Sequence, residues 1–128
     1  MTAGLLDTDV LIAYREADDD AAACVERVRA EGKPQISQAS VLALLAWCRE
    51  QHDQTVVDEF LKPVVVHSVT ALVSRKAVAL MRGLTPPSRL TPVDVLVAAT
   101  ALILKLPLYS LDPERYAAVP GLTALSAH

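Results

Sequence analysis

"TPVDVLVAATALILKLPLYSLD", residues 91–112, fits a helix, a link and a strand into one short stretch. Thr91-Pro92-Val93-Asp94 is a helix start, with Thr91 as N-cap, Pro92 in the first turn and Asp94 three residues beyond the cap. The alanine-rich run behind Asp94 carries no further charge until Lys105. Pro107-Leu108-Tyr109-Ser110 reads as a strand, which Asp112-Pro113 breaks. A helix feeding a short apolar strand is the unit from which parallel sheets covered by helices are built.

The same alternation runs outward along the chain. Leu5-Leu6-Asp7 reads as a short buried strand, and Thr8 to Glu16 can open a helix. A helix over Ala21 to Ala30 starts behind Asp18-Asp19-Asp20, whose charges complement its dipole, and stops at Gly32 and Pro34. Gln35-Ile36-Ser37 is a strand candidate. Ser40 can cap a helix from Val41 to about Gln51, and Asp53 to Leu61 holds another helical turn or two. The β-branched run Pro63 to His67 reads as a buried strand. Thr70 to Arg82 is helical, stopped by Gly83 and Pro86-Pro87, and Leu122 to Leu125 is a last strand. This order predicts an α/β fold: a three-layer α/β/α sandwich with a central, mainly parallel sheet, in a single domain over residues 1–128.

Composition narrows the class. A chain of 128 residues can bury a real core, and with 52% apolar and only 4% aromatic residues that core is aliphatic. Val95 to Leu104 is too short for a membrane span, which needs about 20 residues. No basic segment precedes an apolar stretch as in a secretory leader. Cys24 and Cys48 stand alone, without metal spacing, and read as reduced core thiols of a cytoplasmic protein. A net charge of −3 argues against a broad basic surface for nucleic acid, but not against a local groove around a bound cation.

The acids carry the chemistry. "GLLDTDVLIAY", residues 4–14, ends an apolar strand on Asp7, with Asp9 two residues on. Ligands of open parallel sheets bind outside the carboxyl ends of the strands, where Asp7 and Asp112 fall. Asp94 starts a helix. Three of these acids also have purely structural roles open to them: Asp94 in a helix cap, Asp112 in a turn, Asp9 as cap of the first helix. Asp7 is harder to explain that way, because a buried ionised acid costs several kcal/mol unless it is paired or metal-bound. Before Arg15 the sequence offers it no basic neighbour. Carboxylates without histidine or cysteine suit Mg²⁺ or Mn²⁺, which can activate water and neutralise a phosphodiester. His52, His67 and His128 show no triad partner, and Trp47 and Cys48 read as helix packing.

These stretches resemble the PIN-domain family, and within it the VapC-type toxins of bacterial toxin–antitoxin pairs. "LLDTDVLIAY" is similar to the family's first strand with its metal-binding acid. "QISQASVLALLAW", residues 35–47, is similar to the second strand and its helix. Residues 91–112 carry the family's acid, alanine-rich helix, strand, and Ser or Thr two residues before another acid. The resemblance implies a metal-dependent endoribonuclease using Mg²⁺ or Mn²⁺, with Asp7, Asp94 and Asp112 holding the metal and Ser110 supporting them. Asp9 would be an accessory. It also implies an RNA substrate, a small VapB-type antitoxin protein as partner, a homodimer and no membrane. One position departs from the pattern: where the family carries Glu, before Leu44-Leu45, this chain has Ala43. Glu50, seven residues on, would lie about 10 Å further along a helix. The resemblance therefore implies a weakened or inactive nuclease. The alternative is a catalytically silent binding module that keeps the fold and its antitoxin or RNA contacts. "DTD" also resembles the Asp-x-Asp of haloacid-dehalogenase-like phosphatases, but Val10 stands where that family has Gly. A response-regulator receiver would need a phospho-acceptor Asp after the strand "PVVVH", and none is there.

Overall fold

A computed structural model of the chain describes residues 3–86 and 88–128; Pro87, one of the two expected helix stops, lies outside them. Elements follow in the order β1 (Leu5–Leu6), α1 (Thr8–Arg15), α2 (Asp19–Glu31), β2 (Gln35–Ser37), α3 (Gln38–Ala46), α4 (Gln51–Leu61), β3 (Val65–His67), α5 (Ala71–Gly83), α6 (Pro92–Leu104), β4 (Leu108–Ser110) and β5 (Ala124–Ser126). A 3₁₀ turn, Pro113–Tyr116, separates the last two strands. The five strands form one sheet in the order β3-β2-β1-β4-β5, and every pairing is parallel.

Strand alternation splits the core between the two faces. Leu5 and Leu108 turn towards a cluster built on α5 and α6, with Val73, Leu80, Val97 and Ala98. Leu6, Ile36 and Tyr109 turn towards α1, α2 and α3, among Val10, Leu11, Val25 and Leu44. Burial on both faces makes these strands read as continuous apolar runs, as parallel sheets require.

The chain lays β2 and then β3 on one side of β1, and later β4 and β5 on the other. The sheet order therefore reverses between β1 and β4, and in open parallel sheets the ligand crevice lies at such a reversal, beyond the strands' carboxyl ends. Register is fixed by Leu5 against Leu108 and Leu6 against Tyr109, and by the Asp7 amide donating to the Tyr109 carbonyl at 2.9 Å.

Local signals explain most helix ends. Thr91 and Asp94 cap α6 reciprocally, each side chain accepting from the other's amide. Lys105 leaves that helix in the left-handed region at φ 56°, and the Leu106 amide returns to the Ala101 carbonyl. Five expectations need correction. Helix α3 starts straight off β2 with Ser37 as its cap, so Ser40 is an interior residue, and the helix ends at Ala46. Glu50 lies beyond α3 and caps α4 through Asp53, so it does not share a helix face with Ala43. Trp47 is about half exposed at the end of α3, outside the core. Strand β3 is an edge strand, and its first residue, Val65, is exposed. The cap of α1 is Asp7, with Asp9 in the first turn.

Candidate active site

Asp7 is the residue on which β1 ends and α1 begins. Its Oδ1 accepts from the Thr8 amide at 2.8 Å, an N-cap contact that fixes the carboxylate at the crevice. The residue is completely buried. Behind it the Thr8 and Ser40 hydroxyls meet at 2.9 Å, which ties the start of α1 to α3.

The partner that Asp7 needs comes from the far end of the chain. After Asp112 the 3₁₀ turn folds back over the crevice and delivers Arg115 and Tyr116. Arg115 Nη2 donates to Asp7 Oδ2 at 2.6 Å, and the Tyr116 hydroxyl lies 2.9 and 3.0 Å from the two Asp7 oxygens. The Arg115 guanidinium also stands over the Tyr116 ring, 5.0 Å from its centroid.

Two more acids face the same guanidinium nitrogen. Asp94 Oδ1 is 3.5 Å from Arg115 Nη2, while its other oxygen caps α6. Asp9 Oδ2 is 3.6 Å away, and accepts from Ser110 Oγ and the Leu111 amide, both at 3.1 Å. Ser110, the last residue of β4, thus joins α1 to its own strand, and its Oγ also accepts from the Asp112 amide. The Asp112 carboxylate instead pairs with Arg89 at 3.0 Å, on the exposed rim. The structure therefore brings Asp7 and Asp94 together with Asp9 around Arg115, and leaves the Asp112 side chain outside that group. Ala43 is half-buried on α3, one turn beyond Ser40.

Charge in this pocket is unbalanced. Burial pushes the Asp7 carboxyl up and Asp9 pushes the same way. Arg115 and Tyr116 pull it back only in part, leaving it at about 6. Burial opposes the Arg115 charge, but Asp7, Tyr116 and Asp94 outweigh it and hold its pKa above the ordinary arginine value. Burial, Asp7 and Asp94 raise the Tyr116 hydroxyl far enough that it stays a donor.

Among the described residues, buried Asp9 Oδ1 and Arg115 Nε have no hydrogen-bond partner. Three hard carboxylates with a spare lone-pair oxygen fit a divalent cation by donor type. Their present spacing is set around a guanidinium: among the described residues no three acids, histidines or cysteines stand close enough together to hold a metal ion. Arg115, Tyr116 and the central position of Asp9 escape a reading of the sequence. The only hint is that "DPERY" places a cation just past a strand end.

Comparison with known proteins follows the same outline. The sequence profile of the PIN domain matches residues 4–122. No curated protein matches the chain. Among solved structures it is similar to DNA-bound VapBC from Salmonella typhimurium, at 16% identity and TM-score 0.80, with all of both chains covered. A toxin–antitoxin complex from Klebsiella pneumoniae gives 19% identity and TM-score 0.80, covering 98% of each chain. VapBC2 from Rickettsia felis, bound to a promoter DNA fragment, gives 17% and 0.77, again over 98% of each. At these identities the likeness is one of fold. Because the profile spans nearly the whole sequence, the chain belongs to the PIN domain family.

Proposed function

We propose that this chain is a metal-dependent endoribonuclease toxin of the VapC type, weakened by Ala43, whose natural partner is a small VapB-type antitoxin. The observation that carries this reading is the convergence of Asp7, Asp9 and Asp94 on one cationic group at the β1–β4 crevice. Asp7 and Asp94 are the residues assigned to hold Mg²⁺ or Mn²⁺, with Asp9 beside them and Asp112 at the rim. When bound, the metal would supply a nucleophilic water and neutralise charge on the phosphodiester. The chain's own groups do the positioning. Ser110 and the Leu111 amide orient Asp9, the Thr91 amide orients Asp94, and the Thr8 amide with the Tyr116 hydroxyl orients Asp7. Arg89 at the mouth is suited to meet an RNA phosphate, as a guanidinium binds such oxygens bidentately.

The structural relatives named above are toxin–antitoxin assemblies, which supports the antitoxin assignment. Exposed apolar side chains on α3 and α4, among them Leu42 (62% exposed), Trp47 and Val56, give it a surface. A cleft of about 110 Å³ lined by Leu11, Tyr14, Leu44 and Phe60 adjoins them. The silent-module reading is favoured by a separate observation: Ala43 offers no carboxylate one turn beyond Ser40.

Ala43→Glu separates the two readings. If Ala43 marks the vacated acid, this variant cleaves RNA with Mn²⁺ about a hundredfold faster than the unaltered chain. Ala43→Glu combined with Asp7→Asn stays silent. A folded Ala43→Glu variant inactive on every RNA tried, with either metal, would leave the binding module as the better account.

A further inference from the structure

Arg115 is held by charge more than by hydrogen-bond geometry. A single nitrogen, Nη2, makes all three carboxylate contacts, at 2.6, 3.5 and 3.6 Å. No carboxylate is gripped in the two-point manner that makes arginine–carboxylate pairs strong. Nε is buried without a partner among the described residues, and so is Asp9 Oδ1. Leaving such buried groups unpaired is costly, and more so when they are charged. One positive charge also faces three carboxylates. The fold that brings the acids together therefore neutralises them incompletely.

The side chain has somewhere else to go. A cavity of about 450 Å³ opens against Arg115, which lines it together with Thr85, Ser88, Arg89 and Glu114. Arg115 springs from the four-residue 3₁₀ turn, and its side chain borders both the acids and this space. Glu114 and the two hydroxyls could receive it there. Tyr116 would keep its hydrogen bond to Asp7, so the carboxylate would remain oriented after the arginine left.

We propose that Arg115 is a displaceable internal cation: it holds the acid cluster together in the metal-free chain, and must swing into the adjacent cavity before a divalent cation can bind. The proposal rests on the reading of this crevice as a metal site and adds a competitor to it. Metal affinity is then set by an exchange of cations, and Arg115 is a positioning residue whose removal tightens metal binding instead of weakening it.

Calorimetric titration of the full chain with Mn²⁺ tests this. Arg115→Gln is expected to bind Mn²⁺ about tenfold tighter than the unaltered chain, within the usual range of coupling between two competing ligands. Arg115→Lys, which keeps the charge, stays close to the unaltered chain. A second readout needs no variant. The Arg115 Nε–H resonance of the unaltered chain, shielded in EDTA, moves to the position and exchange rate of exposed arginines at saturating Mg²⁺. Equal or weaker Mn²⁺ binding by folded Arg115→Gln, or an Arg115 resonance that ignores bound Mg²⁺, overturns the proposal and leaves the metal reading standing. Mn²⁺ binding by neither protein overturns both.

Discussion

A carboxylate with no exposed surface, such as Asp7, pulls the fold in two directions. Its cap contact and its bond to Arg115 favour the charged form, while burial and Asp9 favour the neutral one, and burial wins. A group whose folded pKa lies above its unfolded value binds its proton more tightly when folded. Its contribution is therefore fully present below about 3.8 and lost as pH rises through about 6. In EDTA, the stability of the unaltered chain relative to Asp7→Asn should fall across that window by up to about 3 kcal/mol, at 1.36 kcal/mol per pH unit. Denaturant unfolding at a series of pH values would measure it. An unaltered chain that gains on Asp7→Asn as pH rises would mean that Arg115, and not burial, governs this carboxyl. Sequence alone shows that Asp7 needs a cation, because an apolar strand ends on it. It does not show which cation, because Arg115 lies at the opposite end of the chain and only strand order brings it back. Asp9 was undervalued for the same reason: its partners, Ser110 and Leu111, belong to a strand that folding places next door.

At the scale of elements, local chemistry was legible where the signal sits within one turn. The Thr91–Asp94 capping box stands as the residues implied, and so does the strand Gln35–Ser37; the strand read from Pro107 starts one residue later, at Leu108. Two serines compete to cap helix α3. Ser37 takes the role, since the chain can turn into the helix directly from β2, and Ser40 is drawn inward to bond Thr8. The valines of strand β3 imply burial, but its place at the sheet edge is a property of topology. The β1–β4 junction matters most, since the acids hang from its two ends. It permits little change. A Cβ on Gly4 would lie 2.6 Å from the Tyr109 ring and 2.9 Å from the Pro107 carbonyl, which accepts from the Leu5 amide. The Tyr109 ring is buried and the carbonyl is backbone, so neither yields cheaply. Gly4→Ala should therefore cost about 1–3 kcal/mol in denaturant unfolding, the usual range for overpacking. A loss below about 0.5 kcal/mol, the ordinary surface level, would mean that this edge of β1 can shift without strain.

The whole molecule exposes apolar side chains on both outer layers of the sandwich. On one side lie Leu42, Leu45 and Trp47 at α3, with Val56 on α4; on the other, Val78 and Met81 on α5. Single exposed apolar residues are unremarkable, but grouped ones mark contact surfaces. No helix of the described residues is long and apolar enough to cross a membrane, so a bilayer-spanning segment does not explain them. Two separate patches suit two separate partners. With the α3–α4 side assigned to an antitoxin, the α5 side is free for a second copy of the chain. A two-fold pairing there would set one α5 against another, because such an interface uses the same patch on both copies. Val78, 52% exposed and three residues from Met81, lies on that face. Arg75 and Arg82 line the same shallow hollow, so a rim of charge borders the apolar centre. Light scattering of the isolated chain should give twice its 13.7 kDa mass at micromolar concentration. Val78→Glu should give the single mass while keeping its far-ultraviolet circular dichroism, since two buried carboxylates would then face each other across the interface. Leu42→Glu should remain double. A single mass for the unaltered chain would remove the homodimer. A double mass that survives Val78→Glu but not Leu42→Glu would move the pairing to α3, and the antitoxin would then have to be sought on α5.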